Sequence, residues 1–364
     1  MEYSIISADS HIDLAWMPHD VFVSNAPTHL KGQMPRVEDT EKGLVWRAGE
    51  DELCLVGVLG AEETNPGVVA RDKRMAETGF FEDSAKGIYH PTVPELRIKD
   101  QDLDGIDAEV IYGLSFGPEF LRNPETRGVV YGIYNGWAAD FCRTNPRRFI
   151  GLACLPHHDP KAAADEVRRG ADLGLRGCEL RVGLVSRAIF YKDWDVLWQA
   201  SGECNMPISF HILGLHPRAQ IPEDTAGYGI TYWSVALTMA QLDGVEFLAS
   251  IIFSGACERF PDFKFVLGEC GVSWIPYILD RMDHEGGGHP ELKMPPSDYW
   301  RRQGFSTFQK ESCAGDLIPL VGENNVMWGS DYPHHDGVWP DSQETIDRNL
   351  KNLRDETARR KVIC

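Results

Sequence analysis

The sequence predicts a closed α/β barrel of the (β/α)8 (TIM) type, with an insertion after its first strand. Two observations carry this. Eight short apolar runs read as strands, and seven of them are followed by a helix-like segment before the next. Strict strand–helix alternation implies parallel strands joined by crossover helices, and eight such units suit a closed barrel better than an open sheet. A third observation is the irregular, Gly-, Pro- and charge-rich stretch 14–99, which interrupts the alternation after the first run. The whole chain, 1–364, is read as one barrel domain with 14–99 as a flap over its mouth.

The runs come in this order. SIISAD (4–9) is first, and AEVIYG (108–113) is second. RFIGLACLP (148–156) is third, followed by a helix over 159–174, in which Ala163, Val167 and Ala171 recur at helical spacing and Gly174 suits a stop. GCELRV (177–182) precedes the helix WDVLWQASGECN, and MPISFHI (206–212) precedes a long helical stretch, SVALTMAQLDGVEFLASIIFSGACERFP. FKFVLGE (263–269) leads to the helix WIPYILDRMD; then come GFSTF (304–308), the helix CAGDLIPLVG and NVMWGSD (325–331). Within the insertion only a hairpin-like pair, GLVWRA and ELCLVGV around GED, has strand character.

Composition narrows the functional classes. Hydrophobic residues make up 43% and charged residues 25%, ordinary for a globular protein. Fifty-five acidic against 36 basic residues give a net charge of −19, which argues against nucleic acid or an anionic membrane as partner. No uninterrupted apolar run suggests a transmembrane span, and the N-terminal MEYSIISADSH lacks the pattern of a secretory leader. The nine cysteines form no C-x-x-C pair, so neither a disulfide framework nor a structural zinc site is expected. A cytoplasmic, small-molecule-binding protein is the simplest expectation, with a homodimer suggested by the acidic surface and the family pattern described below.

In a barrel, the loops after the strands build the active site, so the strand ends hold the chemistry. The first run ends in Asp9-Ser10-His11-Ile12-Asp13, where alternate side chains share one side and could grip a divalent cation. The fifth ends in His211 and the eighth in Asp331. Each is ordinary alone: a core histidine, a turn aspartate. Strands 1 and 8 become neighbours on closure, however, so Asp9, His11 and Asp331 should converge. His334 and His335 follow Asp331, and His157 and His158 follow the third strand; His334 and His157 are candidates for the pocket wall. Arg181 could anchor a substrate carboxylate, and Trp274, Tyr232 and Trp233 could form an aromatic wall, though core packing is the commoner use of such residues. Gly113-Leu114-Ser115-Phe116-Gly117 fits a serine-nucleophile elbow, but Pro118 and Pro124 interrupt the helix that an elbow needs.

Seven stretches, SADSHID, DLDGIDAEVIYG, NPRRFIGLACLP, FHILG, CERFPDFKFVLGECG, WIPYILDRMD and MWGSDYPH, resemble the amidohydrolase superfamily. The nearest likeness is to the amidohydrolase-related group that contains aminocarboxymuconate semialdehyde decarboxylase and the dihydroxybenzoate decarboxylases. The resemblance implies one divalent metal, zinc or manganese, held by Asp9, His11, His211 and Asp331; Asp331, His211 and Glu269 are then the expected catalytic groups, and His334 or His157, by position, could supply a further proton-transfer group. Members with His-x-His would put their second histidine at Asp13, where this chain departs; Asp13 is then a substitute ligand or an outer group. Asp9 is placed ahead of it because other members use a carboxylate there. Decarboxylating relatives often carry a histidine three residues before the glutamate; here that position is Val266. The departure tilts the expectation towards hydrolysis of a small carboxylated or aromatic substrate by metal-bound hydroxide, with nonoxidative decarboxylation as the alternative and a non-catalytic metal-binding barrel as a third reading.

Overall fold

A computed structural model describes residues 3–57, 66–114, 121–181, 185–212 and 229–364. The barrel strands are β1 (Ile6–Ile12) and, after three insertion strands β2 (Arg36–Thr40), β3 (Gly43–Ala48) and β4 (Asp51–Leu55), β5 (Ala108–Gly113), β6 (Phe149–Cys154), β7 (Gly177–Glu179), β8 (Ile208–His211), β9 (Phe265–Gly268), β10 (Gly304–Phe308) and β11 (Val326–Trp328). They pair in the order β1-β5-β6-β7-β8-β9-β10-β11, and neighbours run parallel. The two edges meet just beyond the ladder. His11 N–H donates to Tyr332 O at 2.7 Å, and Asp331 N–H donates to Asp9 O at 2.8 Å. Gly329 permits this approach, since a Cβ there would lie 2.5 Å from the Cβ of Asp9. The fold is therefore the expected (β/α)8 barrel, and each of the eight runs holds a strand.

Local signals explain most helix limits. The helix Pro160–Leu173 is capped by Asp159, whose side chain accepts from Lys161 N and Ala162 N, and ends at Gly174 with φ 91°. Its buried face is Ala163, Ala164, Val167 and Gly170, packed towards the barrel. Pro124 opens a helix, Pro124–Thr144, with Asn123 as its cap. Proline suits that first position because its missing N–H would find no partner in the helix. The elbow serine, Ser115, lies outside the described residues.

Two expectations change. The long helical stretch is three helices, Gly229–Ala240, Asp243–Phe253 and Ala256–Arg259, with a turn at 241–242 and Gly255 at φ 73° between them. By length and composition, Ser234–Phe253 is apolar enough to cross a membrane, at mean hydropathy 1.5, yet this turn breaks it. The insertion holds a three-stranded antiparallel sheet, not a two-stranded pair, together with helices such as Phe80–Ser84, and its end at 99 falls inside the helix Pro94–Asp104, which leads into β5. The added strand, Arg-Val-Glu-Asp-Thr, has no apolar alternation. Cross-strand charge helps hold it: Arg47 Nε lies 3.1 Å from Glu38. Trp46 of β3 is fully buried beside Phe22, at 5.9 Å between ring centres.

Asp104 ties that helix to the C-terminal part of the chain, accepting from the backbone and the hydroxyl of Ser342. Burial pushes its carboxyl up to about 7 despite these donors, with Asp341 and Asp100 adding to the rise. The folded state then holds a proton that the unfolded chain releases near the ordinary carboxyl value of 3.8, so stability from this group falls as pH climbs from there to about 7. Asp104→Asn keeps an acceptor for Ser342. It should flatten the decline in thermal midpoint across that window; equal slopes for both proteins would refute the assignment.

Candidate active site

The site is at the C-terminal ends of β1, β8, β9 and β11. Asp9 and His11 sit two residues apart on β1 and so share the inner side; both are fully buried. His11 Nε2 lies 3.3 Å from Asp9 Oδ1 and 3.1 Å from Asp331 Oδ1. His211 Nε2 lies 3.6 Å from Asp9 Oδ1 and 3.5 Å from Glu269 Oε2. The four side chains inferred as ligands, from strand ends far apart in sequence, thus face one another.

Most of their polar atoms lack a hydrogen bond. Among the described residues, Asp9 Oδ1, both ring nitrogens of His11, His211 Nε2 and both carboxylate oxygens of Asp331 are buried without a hydrogen bond. Burying that many polar atoms unpaired costs free energy, so a built-in partner is expected. Two imidazoles and two carboxylates converging in this way fit a single divalent cation with nitrogen and oxygen ligands, a class that includes zinc and manganese.

The neighbours orient these donors. His211 Nδ1 is 2.8 Å from Ile212 O, which fixes the proton on Nδ1 and leaves Nε2 as a lone pair facing the centre. Thr307 of β10 donates through Oγ1 to Asp9 Oδ2 at 3.0 Å and accepts from Glu269 N at 2.6 Å. Tyr112 of β5 stacks near His11 (5.6 Å) and His211 (4.8 Å), and its hydroxyl pairs with Ser209. Gly268 leaves room for His211; a Cβ there would meet Ser209 Oγ at 2.8 Å and His211 Cδ2 at 3.0 Å. Glu269 and Asp331 both adopt φ 55°, a strained left-handed conformation that non-glycine residues adopt chiefly where a site demands it.

His334 is the second layer. Its ring stacks 3.9 Å above that of His11, with Nε2 bonded to Asp13 Oδ2 at 2.7 Å and Nδ1 2.9 Å from Asp331 Oδ1. Asp13 therefore faces His334 most closely, while His11 Nδ1 lies 3.8 Å from it. Burial would raise the Asp13 carboxyl, but His334, then His11 and Arg181, hold it down at about 2. Burial likewise opposes the ionised form of Asp331, yet His334 and His11 keep it well below the usual carboxylate range. Glu269 goes the other way: burial, then Asp331, Asp336 and Asp9, push it well up. Two buried carboxyls with opposite shifts at one site are the arrangement acid–base chemistry uses.

The other expected residues fall further out. Arg181 is paired with Glu179, Nε to Oε1 at 2.6 Å, and donates to Ile212 O at 3.1 Å, so part of its fork is already engaged. His157 has Tyr131 and His158 as ring neighbours, at 6.2 and 6.4 Å. Burial, then Arg127, His158 and Arg181, lower it to about 3, so it stays neutral. Trp274 donates its indole N–H to Cys270 O at 2.7 Å and packs on the core. The side chains of Tyr232 and Trp233 are outside the described residues.

A parallel barrel with a mononuclear donor set at its C-terminal end defines a class of metal-dependent enzymes. The chain belongs to the amidohydrolase family, whose profile matches residues 86–363. It is 25% identical to 2-amino-3-carboxymuconate-6-semialdehyde decarboxylase of Dictyostelium discoideum over 72% of this chain and 71% of that one. It is 29% identical to gamma-resorcylate decarboxylase of Rhodococcus jostii over 69% and 81%. Its fold matches that of a dihydroxybenzoic acid decarboxylase from Polaromonas sp. JS666, solved with bound manganese and 2-nitroresorcinol: TM-score 0.64, 16% identity, 99% of this chain and 94% of that one.

Proposed function

We propose that the protein is a nonoxidative decarboxylase of a small aromatic carboxylate, with one zinc or manganese ion held by Asp9, His11, His211 and Asp331. This reverses the order of the two enzyme readings, because the curated relatives above are both decarboxylases. The observation that carries the metal assignment is the set of buried, unpaired atoms on those four residues. The bound ion would supply a positive centre that chelates the carboxylate and drains charge as carbon dioxide leaves.

The chain's own groups would handle the proton. The bond between the ring carbon and the carboxylate breaks, its electron pair stays on the ring, and a proton takes the vacated position. Asp331, 3.1 Å from His11 Nε2, would pass that proton, and His334, 2.9 Å away and braced by Asp13, would resupply it. This pair takes over from the histidine that Val266 replaces in β9. Glu269, pushed up by its surroundings, faces the same His211 Nε2 at 3.5 Å and so borders the donor centre itself. The excursion 14–99 would serve as a flap; it is folded back on its own start beside the β1 tip, where Gly57 N–H bonds to Ala15 O and Thr92 Oγ1 to Trp16 O. Arg181 and His157 line the outer wall, where Arg181 would meet a second polar substituent.

Val266 still favours hydrolysis as a second reading. A panel of hydroxybenzoates and matching esters separates the two. Bicarbonate released in equal amount to the decarboxylated arene is the expected result; acid released from esters without bicarbonate would overturn it.

A further inference from the structure

We infer that Arg97 is a positioning residue for the cation site, its guanidinium holding the tip of β1 against the turn after β11 so that His11 and Asp331 meet. The inference rests on the donor set proposed above. Arg97 belongs to the helix Pro94–Asp104, outside the barrel wall, and is fully buried. Its Nη1 donates to His11 O at 2.9 Å and to Pro91 O at 3.0 Å, and its Nη2 donates to Ser10 Oγ at 3.1 Å. Nε is committed to Glu109 of β5. The guanidinium carbon lies 5.0 Å from the ring centre of Tyr332, the residue that follows Asp331.

One planar group therefore touches both sides of the barrel's closing seam. It grips the carbonyl of His11, whose own N–H bonds to Tyr332 O at 2.7 Å, and it lies over the Tyr332 ring. Peptide orientation at His11 sets where the imidazole points, so the grip on that carbonyl sets ligand geometry. Tyr332 is fixed in turn by its hydroxyl, which donates to Asp100 at 2.7 Å, and Asp100 also pairs with His90 at 2.8 Å. A lysine could keep the charge beside Glu109, but a point charge cannot span His11 O, Pro91 O and Ser10 Oγ together.

The test is manganese binding to the metal-stripped full chain, by titration calorimetry, for wild type, Arg97→Lys, Ser10→Ala and the double variant. Arg97→Lys should bind manganese about 10- to 100-fold more weakly, the range typical of lost outer-layer contacts. Ser10→Ala, which removes the Arg97 contact together with the hydroxyl's own bond to Val110 O at 2.8 Å, should weaken binding by a few-fold, and by less in the Arg97→Lys background. A merely structural arginine would lower the unfolding midpoint and leave the affinity of the folded protein unchanged. Arg97→Lys with wild-type affinity would overturn the inference. Should Arg97→Lys not fold, Ser10→Ala decides: a measurable loss of affinity supports the brace, and unchanged affinity overturns it. A wild-type chain that takes up no divalent ion would overturn the donor set and this inference with it, whereas equal binding by wild type and Arg97→Lys overturns the brace alone.

Discussion

Asp331→Asn is expected to lower turnover by about 10³-fold or more, on the order of 4 kcal/mol of transition-state stabilisation, with the thermal midpoint near that of wild type. The size follows from where the charge sits. Asp331 is fully buried, 3.1 Å from His11 Nε2 and 2.9 Å from His334 Nδ1. Asparagine is close in shape but carries no charge and cannot accept and return a proton at that position. The fold should survive for two reasons. The backbone contact of residue 331 to Asp9 O runs through its N–H, which asparagine keeps. Asparagine also tolerates φ near 55°, where a β-branched residue would not. The measurement is kcat on the preferred carboxylate together with metal content and a melting curve. A folded, metal-loaded variant with more than about a tenth of wild-type turnover would remove Asp331 from the proton path.

The barrel was legible because its strands are buried on both faces and read as continuous apolar runs. AEVIYG and GFSTF match β5 and β10 to the residue. The first strand runs three residues past the run 4–9, through Ser10, His11 and Ile12, because Ser10 and His11 are polar yet extended and buried. Polarity marks a strand end only when water lies beyond it; here the site does. The strand Arg36–Thr40 was hidden for the opposite reason, being held by charge pairs and ladder bonds at the surface.

The site was legible in its donors and not in what holds them. Topology alone makes strands 1 and 8 neighbours, so Asp9, His11 and Asp331 could be brought together on paper. Nothing along the chain distinguishes Thr307 from other buried threonines, yet it bonds Asp9 and Glu269 at once. Arg97 reads as one charge in a polar helix of eleven residues. Asp13 was read as a ligand or an outer group, and the geometry pairs it with His334 at 2.7 Å, a contact across 321 residues that no local pattern can show. Arg181 reads as an open anchor because its partner, Glu179, is only two residues earlier, at the end of β7, and the spacing says nothing of which way each side chain turns.

Removing His211 should separate metal binding from folding. In wild type freed of metal, adding manganese or zinc should raise the thermal midpoint, because the ion neutralises the buried carboxylates of Asp9 and Asp331 and bonds atoms that otherwise lack a hydrogen bond. At about 100 times the dissociation constant the gain is about 2.7 kcal/mol, a shift of several degrees for a chain of this size. His211→Ala deletes the one donor that β8 contributes, so the metal-induced rise should vanish and turnover should fall by at least about 10³-fold. The variant should still fold: Ile212 O, which His211 Nδ1 faces, also accepts from Arg181 Nη1 at 3.1 Å and keeps a partner. His157→Ala is the matched control, a buried histidine whose ring neighbours are Tyr131 and His158, and it should keep the full metal-induced rise. A His211→Ala protein that melts higher on adding metal, by as much as wild type does, would mean that the ion is held elsewhere than by the four donors at the barrel mouth.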